Sequence, residues 1–215
     1  MSDCCDPVSY RRLFNSKEAA RRLRNYRKRG LDHRAADLCA YLKSRGLDGY
    51  DLLEVGGGIG DFQVELLNAG ATKATNIELS EGYEEAAKGL ADGEGLSDRM
   101  ERRFGDFVEI QEDVAPASIV VLNRVICCYP FMERMMTAAI AKTNRYLALV
   151  YPRDRVITRM FIKVGNGYWA LRRVSFRAFV HPVAEIEALA AGSGLVARHR
   201  SNDFTWQGVV FERAG

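Results

Sequence analysis

The chain has 215 residues, 47% of them apolar and 27% charged, with a formal net charge of +3. That is the composition of an ordinary globule with one core, large enough to fold without disulfides or a structural metal. It excludes collagen-like, disordered and disulfide-scaffold classes, and no run approaches the roughly 18 apolar residues of a membrane helix.

The opening MSDCCD lacks the charged-then-apolar build of a secretory leader, so a cytoplasmic protein is expected. Five cysteines occur as Cys4-Cys5, Cys39 and Cys127-Cys128, without C-x-x-C spacing and with only His33, His181 and His199 to complete a site. They read as free thiols, and no metal is expected. The charge is unevenly spread. Residues 11–34 hold ten lysines and arginines against Glu18 and Asp32, which makes +8 there and −5 in the rest.

In chain order, Asn15 followed by Glu18 resembles a capping box, and Ala19, Ala20, Leu23 and Tyr26 recur at helical spacing, predicting a helix over about 16–28. A second amphipathic pattern follows, with Asp32 as N-cap, Ala35, Leu38, Cys39 and Leu42 on one face, and Gly46 as the stop. From Tyr50 short apolar runs alternate with helical patterns, as in a parallel sheet covered on both faces. Strands are predicted near 50–55, 73–79, 101–107, 117–123 and 145–152, with helices near 59–70, 81–91 and 130–144. Residues 155–180 carry Arg155, Arg159, Lys163, Arg172, Arg173 and Arg177 but no acid, interleaved with Phe161, Tyr168, Trp169, Phe176 and Phe179. Within them Val156, Ile157, Met160, Phe161 and Val164 share one helical face, the pattern of a lid packed on the core or on an apolar substrate. A helix over 182–191 and two late strands, 195–201 and 206–213, complete the chain, the strands close enough to pair antiparallel.

The stretch Leu52-Leu53-Glu54-Val55-Gly56-Gly57-Gly58-Ile59-Gly60-Asp61 runs from an apolar strand through glycines into a helix, a turn that lets backbone approach a ligand closely. The dinucleotide fingerprint G-x-G-x-x-G would need glycine where Asp61 stands, and no Gly-Lys-Ser/Thr follows for a P-loop. An acid at the entrance and no lysine inside disfavour phosphate and suit a cationic ammonium or sulfonium. Glu78 ends the second strand, where nucleoside-binding sheets place a carboxylate for both ribose hydroxyls. Asp106 follows the third strand, beside Phe107. Three acids at successive strand ends converge on one crevice.

These residues resemble the signature of class I S-adenosylmethionine-dependent methyltransferases: acid-x-G-x-G-x-G, a ribose acid, then an Asp beside an aromatic. The likeness covers about residues 50–152. It implies an α/β, Rossmann-like fold with a seven-stranded, mostly parallel sheet and an antiparallel closing strand. It also implies that S-adenosylmethionine lies on Gly56, Gly58 and Gly60, with Glu54 near the methionine end. Glu78 with its neighbour Leu79 would take the ribose, Asp106 with Phe107 the adenine, and Asn123 would lie beside the methionine through its backbone. The corresponding division is an N-terminal helical cap (1–49), a cofactor-binding core (50–152), a lid that binds the acceptor (153–181), and a C-terminal helix with closing hairpin (182–215).

On the acceptor side, the segment after the fourth strand is Asn123-Arg124-Val125-Ile126-Cys127-Cys128-Tyr129-Pro130, which lacks the Asn/Asp-Pro-Pro-aromatic run of nucleobase amine methyltransferases. It is similar to magnesium-protoporphyrin O-methyltransferases in its leading helices with Tyr26, in Tyr129-Pro130, and in the basic aromatic segment ending at His181. Where that family reads Asp-x-x-x-His-Tyr, this chain has Arg124 and Cys128. The likeness implies a small-molecule O-methyltransferase ancestry without the porphyrin substrate. Tyr26, Tyr129 and His181 are the candidate bases or orienters, and Arg124 a clamp for a carboxylate. Cys127 and Cys128 read as buried thiols before nucleophiles.

The expected partner is a small, flat, apolar acceptor bearing a carboxylate or phenol, with a homodimer left open. Three alternatives stand beside it. The basic N-terminal helices suggest an RNA methyltransferase that tracks phosphates. The basic aromatic segment suggests docking on anionic lipid, and the glycine loop a nicotinamide oxidoreductase, which Asp61 disfavours.

Overall fold

The computed structural model describes residues 7–214, so Cys4 and Cys5 lie outside the described residues. Three helices come first, α1 (Pro7–Leu13), α2 (Ser16–Arg29) and α3 (His33–Lys43). Helix α1 was not anticipated, because its seven residues are too few to show a period. Asn15 caps α2 by accepting from the Lys17 and Glu18 amides at 3.0 and 3.1 Å. The reciprocal half of the capping box is absent: Glu18 instead accepts from Arg21 Nε at 2.9 Å. Asp32 caps α3 as expected, accepting from the Arg34 amide at 3.2 Å.

Strands and helices then alternate: β1 (Asp51–Val55), α4 (Asp61–Leu67), β2 (Lys73–Glu78), α5 (Glu84–Gly93), β3 (Met100–Phe104), α6 (Phe107–Ile110), β4 (Ala117–Asn123), α7 (Met132–Ala141) and β5 (Thr143–Pro152). The chain finishes with α8 (Val156–Leu171), α9 (Val183–Gly192), β6 (Leu195–Asn202) and β7 (Trp206–Arg213). The sheet order is β3-β2-β1-β4-β5-β7-β6. All strands run parallel except β7, which is antiparallel to both β5 and β6.

The period-2 alternation of the central strands feeds two cores. Leu53, Val55, Val120, Leu122, Leu147 and Leu149 point to one face, where Met135, Met136, Ile140 and Ile186 of α7 and α9 cover them. Leu52, Ile119, Val121, Ala148 and Val150 point to the other, against Leu38 and Leu42 of α3 and Phe62 and Leu66 of α4. Each fully buried Leu or Ile contributes about 1.5–3 kcal/mol relative to exposure, which makes these faces the main support of the fold.

Three predicted elements are corrected. The strand expected over 101–107 stops at Phe104, because Asp106 caps α6 by accepting from the Val108 amide at 3.0 Å. Helix α4 is shorter than the expected 59–70, since Gly58 and Gly60 still hold the left-handed φ values of 60° and 81°. The face of α8 expected to pack on the core is turned to solvent: Val156 is 84% and Val164 68% exposed, and Thr158 is the buried residue of that helix.

Candidate active site

The carboxyl ends of β1, β2, β3 and β4 open onto one cavity of about 700 Å³. Open α/β sheets place their ligands at this end, where the strand order reverses between β1 and β4. The glycine loop forms its floor. Gly56 has φ 64°, and a Cβ there would lie 2.7 Å from the Val125 side chain, so both its backbone and its space exclude larger residues. The loop is pinned from β2: Asn76 Oδ1 accepts from the Gly57 amide at 3.1 Å, and Glu78 Oε2 from the Gly58 amide at 2.9 Å. Glu78 Oε1 accepts from the Leu79 and Ser80 amides at 2.9 and 3.0 Å. Three backbone donors thus fix the carboxylate at the cavity wall.

Of the residues the sequence assigns to the cofactor, Gly56, Gly58, Glu78, Leu79, Asp106, Phe107 and Asn123 are brought together around the cavity. Asn123 Oδ1 is a buried acceptor without a protein partner, an atom ready for a donor on the ligand. Asp106 accepts from the Tyr129 hydroxyl at 3.3 Å, and burial raises its carboxyl above the usual range.

Glu54 and Gly60 stand apart from the wall. Gly60 caps α4 through its backbone, while Glu54 is fully buried beneath the loop and accepts from Gln63 Nε2 at 2.8 Å. Burial, with Asp61 adding to it, pushes the Glu54 carboxyl up to about 7. Its folded pKa exceeds the unfolded value of 4.5, so the stability it contributes is fully present below about pH 4.5 and is lost as pH rises toward 7. Accordingly, Glu54→Gln removes that decline, and its gain in urea midpoint over the natural chain is larger at pH 8 than at pH 5. A gain independent of pH refutes the assignment. His181, lowered by burial, shifts stability in the opposite direction but equally in both chains.

The four residues proposed for the acceptor side divide as follows. Tyr26, Arg124 and Tyr129 line the cavity. The Tyr26 hydroxyl donates to Glu65 at 3.1 Å, and burial followed by that carboxylate raises its pKa, so it holds its proton. Arg124 takes the left-handed φ of 62° and pairs with Asp32, which occupies the guanidinium meant for an acceptor carboxylate. His181 is absent from the wall; its Nε2 lies 3.1 and 3.0 Å from the Ile126 and Tyr129 carbonyls, so it braces the turn after β4. The Cys127 and Cys128 sulfurs lie 3.7 Å apart on that turn and line the cavity. The Cys127 thiol beside it lowers the Cys128 pKa; against burial, Tyr10 and Arg124 lower it further.

Sequence reasoning missed the roof. Arg22 of α2 forms a two-pronged pair with Asp61, at 2.7 and 3.1 Å, tying the N-terminal helices to the glycine loop. In the sequence Asp61 shows itself as a misfit to the dinucleotide fingerprint, and its separation of 39 positions from Arg22 gives no local signal of the pair. The Ser80 hydroxyl also donates to the Phe14 carbonyl. Tyr10, Phe14 and Trp169 surround Phe176 at centroid distances of 5.6, 5.7 and 4.8 Å, joining α1 to α8 in an aromatic wall.

This sheet order, with a glycine loop after β1, Glu78 closing β2 and Asp106 after β3, is the Rossmann-like fold of class I S-adenosylmethionine-dependent methyltransferases. Solved structures agree. The chain superposes on magnesium protoporphyrin IX methyltransferase of Synechocystis PCC 6803, solved with bound SAH, with a TM-score of 0.75 at 19% identity over 97% of this chain and 100% of that one. It is also similar to an O-methyltransferase family protein of Burkholderia thailandensis (TM-score 0.63, 14% identity, 84% of this chain and 56% of that one). A third likeness is to an O-methyltransferase family 2 protein of Planctomyces limnophilus DSM 3776 in complex with apigenin (TM-score 0.59, 18% identity, 86% and 63%). No protein-family model and no curated protein matches the chain.

Proposed function

We propose that the protein is an S-adenosylmethionine-dependent methyltransferase that methylates oxygen on a small apolar or aromatic molecule bearing a carboxylate or phenol. The observation that carries this reading is the convergence of Glu78, Asp106 and the unpartnered Asn123 Oδ1 on one cavity beside a left-handed glycine loop. These groups fit the cofactor: Glu78 accepts from the ribose hydroxyls, Asp106 from the adenine amino group with Phe107 against the ring, and Asn123 Oδ1 from the ammonium. When bound, the cofactor supplies an electrophilic methyl on a sulfonium.

The remaining work is positioning. The wall of Phe14, Trp169 and Phe176 suits a flat apolar body. A carboxylate acceptor arrives already ionised and needs no base, which agrees with Tyr26 holding its proton toward Glu65. Neighbours named as O-methyltransferases, among them mitomycin 7-O-methyltransferase, support oxygen as the acceptor atom.

Calorimetric titration tests the cofactor half: S-adenosylhomocysteine (SAH) and S-adenosylmethionine bind and NAD does not. Binding of NAD alone, or of none of the three, overturns it. Incubation with carboxylated and phenolic compounds and labelled cofactor then tests the acceptor half. The RNA alternative rests on the exposed Arg24, Arg27, Lys28 and Arg29 of α2, and predicts label in RNA with steep salt dependence.

A further inference from the structure

Helix α8 has two faces of opposite character. At 100° per residue, Val156, Met160, Leu171, Val164, Tyr168 and Phe161 fall within an arc of about 140°. Their exposures are 84, 54, 85, 68, 57 and 57%, and they make up six of the ten exposed large apolar side chains among the described residues. Such concentration on one helix marks a contact surface, whereas scattered exposed apolar residues would not. The opposite arc holds the buried Thr158, and Ile162 and Trp169 of the cavity wall.

The border of the apolar arc is cationic. Arg159 and Lys163 lie along one edge of it, and Arg172 and Arg173 stand at its C-terminal end, with the Arg172 guanidinium 6.0 Å from the Tyr168 ring centre. No acid occurs between Asp154 and Glu185, and of the four cations Arg159 has Asp154 as its partner at 2.6 Å. A second copy packed across a two-fold axis would set this acid-free segment against its own image, with like charges facing. An anionic bilayer complements both features at once: headgroups take the cations, and the acyl boundary takes the apolar arc.

We propose that α8 seats the protein on an anionic lipid surface, with the cavity directly behind the seated helix. Together with the function proposed above, this places the aromatic wall where an apolar acceptor leaves the bilayer. The seating itself does not depend on that function.

Sedimentation of the full chain with vesicles of phosphatidylcholine, with and without phosphatidylglycerol, tests it. The natural protein sediments with the phosphatidylglycerol vesicles, less so as salt rises, and stays in solution with phosphatidylcholine alone. The double variant Met160→Glu/Val164→Glu, at two positions off the cavity, loses binding by about tenfold or more because it places carboxylates against anionic headgroups. Arg172→Gln/Arg173→Gln loses several-fold. Both variants keep the natural melting temperature and SAH titration, which separates failure of the seat from failure of the site. Three results overturn the proposal: no sedimentation with anionic vesicles, sedimentation unchanged in both variants, or a natural dimer that Met160→Glu/Val164→Glu splits without any lipid binding. The last would make α8 an interface between copies.

Discussion

Glu78→Ala weakens SAH binding by about 100-fold or more, because hydrogen bonds to a charged acceptor are each worth roughly 1.5–3 kcal/mol and the ribose would lose two of them. The carboxylate is 5% exposed and already ordered by the Gly58, Leu79 and Ser80 amides, so it meets the ligand without reorganising. Removing it also leaves those three donors unpaired and slackens the glycine loop. Glu78→Gln separates the two effects. It keeps one oxygen for the Leu79 and Ser80 amides but turns an NH2 toward the Gly58 amide and loses the charge, so an intermediate affinity and a smaller drop in melting temperature than in Glu78→Ala are expected. If calorimetry finds that Glu78→Ala binds SAH as the natural chain does, the carboxylate does not touch the ligand and the cofactor site is misassigned.

The second large effect concerns stability. Arg22→Met lowers the unfolding free energy by about 2–4 kcal/mol, since removing one partner of a fully buried ion pair costs about 3–5 kcal/mol and the Arg22 side chain is 27% exposed. Asp61 is left 8% exposed at its side chain, without its guanidinium and near the buried Glu54. Burial opposes the Arg22 charge, yet its contact with Asp61 raises the guanidinium above its ordinary range, so Arg22 is charged at neutral pH. Replacing both, as Arg22→Met/Asp61→Leu, restores much of the loss, since no uncompensated charge remains. Urea unfolding checks both variants. Equal losses in the single and double variants would mean that the charge pair contributes little and that the roof is held by packing alone.

The parts of the site that were legible in the sequence are those fixed by local chemistry. A strand ending in glycines puts backbone at the sheet's end, and Glu78, Asp106 and Asn123 each follow a strand by one or two residues or close it, so their convergence follows from parallel order alone. The placement of Glu54 was open to the same logic: with period 2 it shares the face of Leu52, opposite Leu53 and Val55, which α4 covers with Gln63. What escaped the sequence depends on distant pairing. Arg22 meets Asp61 across 39 positions, and Arg124 meets Asp32 across 92. No periodicity announces such contacts. The orientation of α8 escaped for another reason: apolar residues on one helical face predict burial, and periodicity does not say against what.

The place of β7 bears on how the protein is made. In the chain β7 follows β6, but in the sheet it lies between β5 and β6. As the polypeptide leaves the ribosome, β6 therefore emerges before β7, the strand it pairs with among the described residues. Meanwhile β5, with Leu147, Leu149 and Tyr151 already facing a core, presents an unpaired apolar edge to the cell. Until β7 threads into that gap, the nascent chain is open to wrong pairing, and this interval is where chaperones would be needed.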